Sequence, residues 1–322
     1  MGRHGTKLRK RPVKCCVIGG AGFIGAHVTR LLAGSGHDVT VLGRRAQPDS
    51  RLPDSVRYVS GDYTDLAVLR SVLSSVDLVV DLAYATVPRT SFEDPIFDIV
   101  SNLPASVRLL QECAAARIRK LVLVSSGGTV YGITKSLPIQ EDHPTNPISP
   151  YGITKLTIEK YAGMFGVLSG LPIVIVRPGN AYGEGQRASA GQGFIATAMH
   201  SILGRQAVGL FGASGTIRDY IHVADVASGI VAALDAGGAG EIYNIGTGEA
   251  RSNLDVLGEI EPFARAAGYE MQTSTLPERT FDVPANVLDS RKLRDVSGWR
   301  PSIDFPQGIE RAWHSLLDNP GR

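Results

Sequence analysis

The sequence predicts an α/β protein: a doubly wound parallel sheet with a smaller C-terminal lobe. Three observations predict it. Short, continuously apolar segments recur through the first half, as "KCCVIGG" from Lys14, "HDVTVLG" from His37, "DLVVDLA" from Asp77, "KLVLVSS" from Lys120 and "LPIVIVRP" from Leu171. Amphipathic helical patterns separate them, and apolar strands alternating with such helices belong to a parallel sheet covered on both faces. Beyond residue 180 the alternation gives way to glycine-rich stretches, "YGEGQRASAGQG" and "GLFGASGTIRDY", which read as loops.

The first strand runs into "GGAGFIG", with glycines at 19, 22 and 25, and a helical pattern follows to Ala33. A glycine triplet alone is a weak signal; between a strand and a helix it reads as a dinucleotide-binding turn of Rossmann-like type. Gly19 permits the tight turn, Gly22 lets backbone approach a pyrophosphate, and Gly25 lets the helix pack close to the sheet. The anion then rests on free N–H groups at the positive end of the helix.

The second strand ends in Gly43-Arg44-Arg45, where an acidic residue usually meets the ribose hydroxyls. A guanidinium at Arg44 can pair instead with a 2′-phosphate, or stand solvated. A third strand, "VRYVS", precedes "GDYTD" at 61–65, where Asp62 can accept a hydrogen bond from an adenine amino group or cap a helix. "DLVVDLA" supplies the fourth strand. The helix after it carries Val100, Leu103, Val107 and Leu110 at helical spacing. A further helix carries Ile158, Tyr161, Phe165 and Leu168, and "EIYNIGTG" at 241–248 adds a late strand.

"SPYGITKLTIEKY" sets Tyr151 and Lys155 four apart after Pro150. On a helix they share a face. A phenol titrates near ~10, and a neighbouring cation lowers it by ~1–3 units. Tyr151 is therefore a candidate acid and base, with Lys155 lowering its pKa and reaching the nicotinamide ribose. The same spacing also describes a surface helix; the glycine turn and the strand ending in "SSGG" favour the chemical role.

Composition fits this reading. The 322 residues are 43% hydrophobic and 20% charged, enough for one large domain or two intertwined ones. Net charge is +2, but residues 1–14 hold six basic residues and no acid; the rest has 27 basic against 31 acidic residues, or −4. An acidic body argues against nucleic acid as a partner, and residues 1–13 read as a basic, solvated, flexible tail. No apolar run reaches the ~20 residues of a membrane span, and no secretory core is present. Cys15, Cys16 and Cys113 lack metal spacing and read as reduced thiols of a cytoplasmic protein; no metal site is expected.

With these residues in view, the sequence resembles the extended short-chain dehydrogenase/reductases, and among them the NAD-dependent nucleotide-sugar 4-epimerases. The motifs that carry the resemblance span nearly the whole chain: "GGAGFIG", "GDYTD", "DLAYATVP", "SSGGTVYG", "SPYGITK", "RPGNAYGEGQ", "GTIRDYIHVADVA", "YNIGTG" and "SGWRP". The resemblance implies that Gly19, Gly22, Phe23, Ile24 and Gly25 hold the pyrophosphate and that Asp62 and Tyr63 meet the adenine. Leu82 and Ala83 match a strand end beside the cofactor, with Asp81 where His is often seen, and Pro178 lies by the nicotinamide. Tyr151 and Lys155 match the acid/base and its partner. Asn180 and Arg218 match residues that hold the sugar nucleotide, Arg279 a diphosphate ligand and Asp282 a nucleoside contact.

Two departures stand out. Gly127 replaces a Ser or Thr that hydrogen-bonds the reacting sugar oxygen, so Ser126 or Thr129 would have to serve, with Ser126 favoured. Gly128 and Thr129 stand where related 4,6-dehydratases carry Asp-Glu, so the acid and base for that elimination are absent. The other departure is Gly43, where NAD-preferring members usually carry Asp; NAD is the expected cofactor, and Arg44 leaves NADP open.

The implied organisation is a dinucleotide domain over 14–180 plus about 222–248, and a nucleotide-sugar lobe over about 181–221 plus 249–322. The implied reaction, on a UDP-hexose, is transient oxidation at sugar C4 and hydride return to the opposite face. An NAD(P)H-dependent 4-keto-sugar reductase would use the same groups. A non-catalytic dinucleotide sensor would be expected to lack the Tyr-Lys pair. Family members commonly dimerise through helices matching those around 95–116 and 151–168, so a homodimer is expected.

Overall fold

The computed structural model describes residues 13–47, 52–187, 193–212, 215–277 and 283–318. The basic tail expected at 1–13 lies outside them except for Val13, as do Arg279 and Asp282.

Seven parallel strands form the central sheet: β1 (Lys14–Ile18), β2 (Asp38–Gly43), β3 (Arg57–Ser60), β4 (Leu78–Asp81), β5 (Lys120–Val124), β6 (Ile173–Pro178) and β11 (Ile242–Ile245). Their order is β11-β6-β5-β4-β1-β2-β3. The order reverses between β1 and β4, where Ile18 lies opposite Asp81. A doubly wound sheet opens its ligand crevice at the carboxyl ends of such a pair.

Each strand serves both faces. Cys15 and Val17 pack with α1 (Phe23–Gly34) and α7 (Val223–Ala236), through Val28, Leu32 and Val226. Cys16 and Ile18 pack on the opposite face with α2 (Leu66–Leu73), α4 (Pro95–Ala115) and α5 (Pro150–Ser169), through Leu69, Leu109 and Ile158. In β1 both alternating sets of side chains are apolar from Cys15 to Ile18, which is why such a strand reads as an unbroken apolar run. All three cysteines are free and buried, and burial pushes the Cys15 thiol up to about 12.

The apolar stripes seen in the sequence meet the core only in part: Leu103 and Leu110 on α4 and Ile158 and Phe165 on α5 pack into it. The buried side of α4 is Asp98, Asn102, Ala105, Ser106, Leu109, Leu110 and Cys113, whereas Val100 is 59% exposed. On α5, Ile158 is buried but Leu168 is 75% exposed. The two helices pack on each other, with the short α3 (Pro88–Glu93) against both.

The stretch read as loops contains strands. β7 (Asn180–Tyr182) pairs with β10 (Tyr220–His222), β8 (Val208–Phe211) pairs with β13 (Thr273–Leu276), and β9 (Ile217–Arg218) lies between β12 (Arg251–Ser252) and β14 (Ala285–Asn286). These strands are two to four residues long and pair with distant segments, so no local period announces them. With α6 (Phe194–Leu203), α8 (Asn253–Ala266) and α10 (Phe305–Asp318) they enclose a second core around Ile202, Ile260 and Trp313. The remaining helix, α9 (Arg291–Ser297), supplies Leu293 to the first core.

Asp219 joins the two regions. Its buried carboxylate accepts from Thr247 N at 2.9 Å, Thr247 Oγ1 at 2.6 Å, Gly248 N at 3.1 Å and Leu288 N at 3.1 Å. It pins the loop after β11 to the chain between β9 and β10.

Candidate active site

The crevice at the β1/β4 reversal begins with the glycine turn. Gly19 has φ +75°, and a Cβ there would stand 3.2 Å from the backbone of Leu82 and Ala83. A Cβ on Gly25 would lie 2.2 Å from the Gly19 carbonyl oxygen. Both positions exclude a side chain, for conformation at one and for contact at the other. Gly22 is the N-cap of α1 with no side-chain cap, and the first turn holds no acid. The helix end, opening with Phe23 and Ile24, therefore presents uncapped N–H groups.

Asp62 and Tyr63 follow β3. Asp62 is exposed and accepts from Thr64 N at 2.9 Å, while the cap of α2 is Asp65, which accepts from Ala67 N at 2.8 Å. Arg44 is exposed at the end of β2. A Cβ on Gly43 would lie 2.8 Å from the Tyr58 hydroxyl, which donates to the Arg45 carbonyl at 2.9 Å. An acidic residue at position 43 would require Tyr58 to swing away.

Tyr151 and Lys155 sit in the first turns of α5. Ser149 caps the helix by accepting from Gly152 N at 3.1 Å, and Pro150 follows at the first helical position. The Tyr151 N–H donates to Ser91 Oγ at 3.1 Å. A Cβ on Gly152 would meet the Thr129 carbonyl at 2.8 Å, so glycine allows the helix to approach the strand-end loop. That loop carries Ser126, half-buried, and Thr129, whose buried hydroxyl has no partner among the described residues. Asn180 Oδ1 stands 3.2 Å from where a Cβ on Gly128 would be. Pro178 accepts from Gly127 N at 2.9 Å. Loop 126–129, Tyr151, Asn180 and Pro178 thus belong to one neighbourhood. Arg218 is held by backbone carbonyls: Nη1 donates to Ile217 O at 2.9 Å and Val283 O at 2.8 Å.

The motifs do not report that Asp81, Tyr84 and Asp98 gather around Lys155. Its Nζ donates to Val124 O at 3.0 Å, lies 4.0 Å from the Tyr84 ring centroid and 5.8 Å from that of Tyr151. Tyr84 and Tyr151 meet edge to face at 4.9 Å. Asp98 is wholly buried and accepts from Tyr84 OH at 3.4 Å, Thr154 Oγ1 at 2.6 Å, Asn102 Nδ2 at 3.4 Å and Thr86 Oγ1. Asp81 is buried and accepts from Ala83 N at 3.1 Å. Glu159 is paired with Arg177 at 2.5 Å and accepts from Ser125 Oγ at 2.5 Å.

Burial brings the Lys155 ammonium down to about 8, against the pull of Asp81, Glu159 and Asp98. Burial pushes Asp81 up to about 6, against the Ala83 hydrogen bond and Lys155. The Tyr151 phenol is pushed up, by burial and then by Asp98. This direction is opposite to the expected lowering by Lys155: burial, which opposes the phenolate, dominates, and the Asp98 carboxylate adds to it, while the ammonium stands closer to the Tyr84 ring than to that of Tyr151.

This arrangement matches known proteins. A profile of the NAD dependent epimerase/dehydratase family matches residues 15–246. The chain belongs to that family. A putative UDP-glucose 4-epimerase of Methanocaldococcus jannaschii is 32% identical over 305 residues, covering 94% of this chain and 98% of that protein. A UDP-glucose 4-epimerase of Thermus thermophilus, solved in complex with NAD, superposes with TM-score 0.88 at 32% identity, over 95% of this chain and 100% of that one. A dTDP-glucose 4,6-dehydratase of Streptomyces venezuelae, solved with NAD, superposes at TM-score 0.87 and 28% identity, over 96% and 98%. The family's fold is thus shared across reactions, and the residues at the site must distinguish them.

The glycine cradle suits the dinucleotide named in the family description: two of its positions leave no room for a Cβ, and the adjoining helix end is uncapped. Gly128 and Thr129 offer neither acid nor base for an elimination.

Proposed function

We propose that the protein is a nucleotide-sugar 4-epimerase acting on a UDP-hexose in the cytoplasm, with NAD as its bound cofactor. The observation that carries this reading is the Tyr151–Lys155 pair beside the glycine cradle, with no carboxylic acid on loop 126–129 to direct an elimination. The near-full-length likeness to proteins named UDP-glucose 4-epimerase supports it.

NAD, when bound, would supply a reversible hydride acceptor for sugar C4. Gly19, Gly22 and Gly25 with Phe23 and Ile24 hold its pyrophosphate, Asp62 and Tyr63 its adenine end, and Leu82, Ala83 and Pro178 flank its nicotinamide end. Tyr151 takes the proton of the 4-hydroxyl and later gives it back, and Lys155 stabilises the phenolate by charge. Thr129, whose buried hydroxyl has no partner among the described residues, is better placed than Ser126 to receive a substrate hydroxyl. Asn180 and Arg218, with Arg279 and Asp282, hold the nucleotide end, so remote binding orients the reacting ring.

The test is turnover of UDP-glucose and UDP-galactose by purified protein without added reductant. Interconversion is expected, with Tyr151→Phe lowering kcat at least a hundredfold while leaving UDP binding intact. Strict dependence on added NADPH would point to a reductase instead, with Arg44 at the 2′-phosphate.

We further propose a homodimer through α4 and α5. Ile96, Val100, Ile153, Met164, Val167 and Leu168 leave apolar surface on these two helices, from 41% to 84% exposed.

A further inference from the structure

Lys155 stands among three buried carboxylates and two aromatic rings. Glu159, on its own helix, is neutralised by Arg177 of β6 at 2.5 and 3.0 Å. Asp98, from α4, has its oxygens taken up by neighbouring side chains, and Asp81, from β4, is turned to the Ala83 N–H. None of these carboxylates forms an ion pair with the ammonium among the described residues. Its close contacts are the Val124 carbonyl at 3.0 Å and the face of Tyr84 at 4.0 Å. Tyr84 is itself fixed: its hydroxyl reaches Asp98 at 3.4 Å and its ring meets Tyr151 edge to face. One aromatic side chain therefore touches the cation, the phenol and the buried carboxylate.

We propose that Tyr84 is a positioning residue of this centre: its ring holds the Lys155 ammonium and so fixes how far that cation stands from Tyr151. The negative face of an aromatic ring attracts a desolvated ammonium without carrying a charge of its own. A carboxylate in the same place would hold Lys155 more tightly but would also raise the Tyr151 phenol, as Asp98 does. Tyr84 stabilises the cation while adding no anion beside the phenol. The placement depends on the strand end after β4, where Ala85 N donates to Asn102 Oδ1 at 2.7 Å and fixes the backbone next to Tyr84.

The proposal rests on the assignment of Tyr151 and Lys155 as the proton-transfer pair, and its test reads the lysine directly. The Lys155 Cε resonance, identified by its absence in Lys155→Met, is followed against pH in protein labelled with ¹³C at lysine. Its midpoint is expected to fall by about 0.4 to 1.5 pH units in Tyr84→Leu and in Tyr84→Met, which remove the ring, and to stay in place in Tyr84→Phe, which keeps it. The alkaline limb of the kcat profile should move with it. An unchanged or raised midpoint in a folded Leu or Met variant, or a fall in the Phe variant, overturns the proposal. A midpoint that shifts as expected in a protein that turns over no sugar nucleotide upholds the role of Tyr84 and sinks the epimerase reading instead. Turnover with an unmoved midpoint does the reverse.

Discussion

A carboxylate buried as completely as Asp98 persists only if its lone pairs are occupied, and four side chains occupy them. It then acts on its surroundings by charge, raising Tyr151 and holding up Lys155. The ammonium exists below its value of about 8 and is lost as pH rises through it. Activity that needs the cation beside Tyr151 should therefore fall above about pH 8, one decade per pH unit at the limit, in a kcat profile measured with saturating substrate. The Tyr-Lys pair was legible because both residues lie on one helix at fixed spacing. The motif sets Asp81 at the strand end beside the cofactor, but its approach to Lys155, and the roles of Tyr84 and Asp98, were not legible: these residues come from other elements, through a strand order no local pattern reports. Asp98 and Asn102 did carry a signal, two polar residues four apart on α4, but the apolar stripe that starts at the exposed Val100 masks that buried face.

At the level of elements, strands buried on both faces announced themselves, and so did the turn that follows the first. The consequence is sharp at Gly25, where a Cβ would fall 2.2 Å from the Gly19 carbonyl oxygen, with only backbone to give way. Gly25→Ala should move α1 off the sheet and weaken NAD binding at least tenfold by calorimetry, with a stability loss of about 1–3 kcal/mol in urea. The short strands of the second region escape notice in the sequence, since two to four residues hold no period. The strand end at Gly43 and Arg44 is visible in the sequence, as is its want of an acid. What only the structure adds is the Tyr58 hydroxyl, which occupies the space an acidic side chain would need.

For the whole molecule, the exposed apolar surface of α4 and α5 has the most direct consequence. Val167 and Leu168 are 84% and 75% exposed near the end of α5. If two copies join there, burying charges in that contact without partners opposes association. Val167→Glu with Leu168→Glu should convert a dimer into a monomer in sedimentation velocity at micromolar protein, with unchanged circular dichroism. A wild-type protein that sediments as a monomer would overturn the assignment of this surface.

The seventh strand of the central sheet arrives late. β6 ends at Pro178, but its neighbour β11 begins only at Ile242, after the chain has passed through β7, α6, β8, β9, β10 and α7. During synthesis β6 is therefore an open edge until those intervening elements and β11 have been made, with unpaired N–H and C=O groups along an entirely buried-type strand. Such an edge invites pairing with another nascent copy. Ending the chain at Pro178 would make that exposure permanent, so a fragment that stops after β6 should aggregate. The sheet is closed only once β11 has followed the first strands of the second core, and until then its edge is exposed to aggregation.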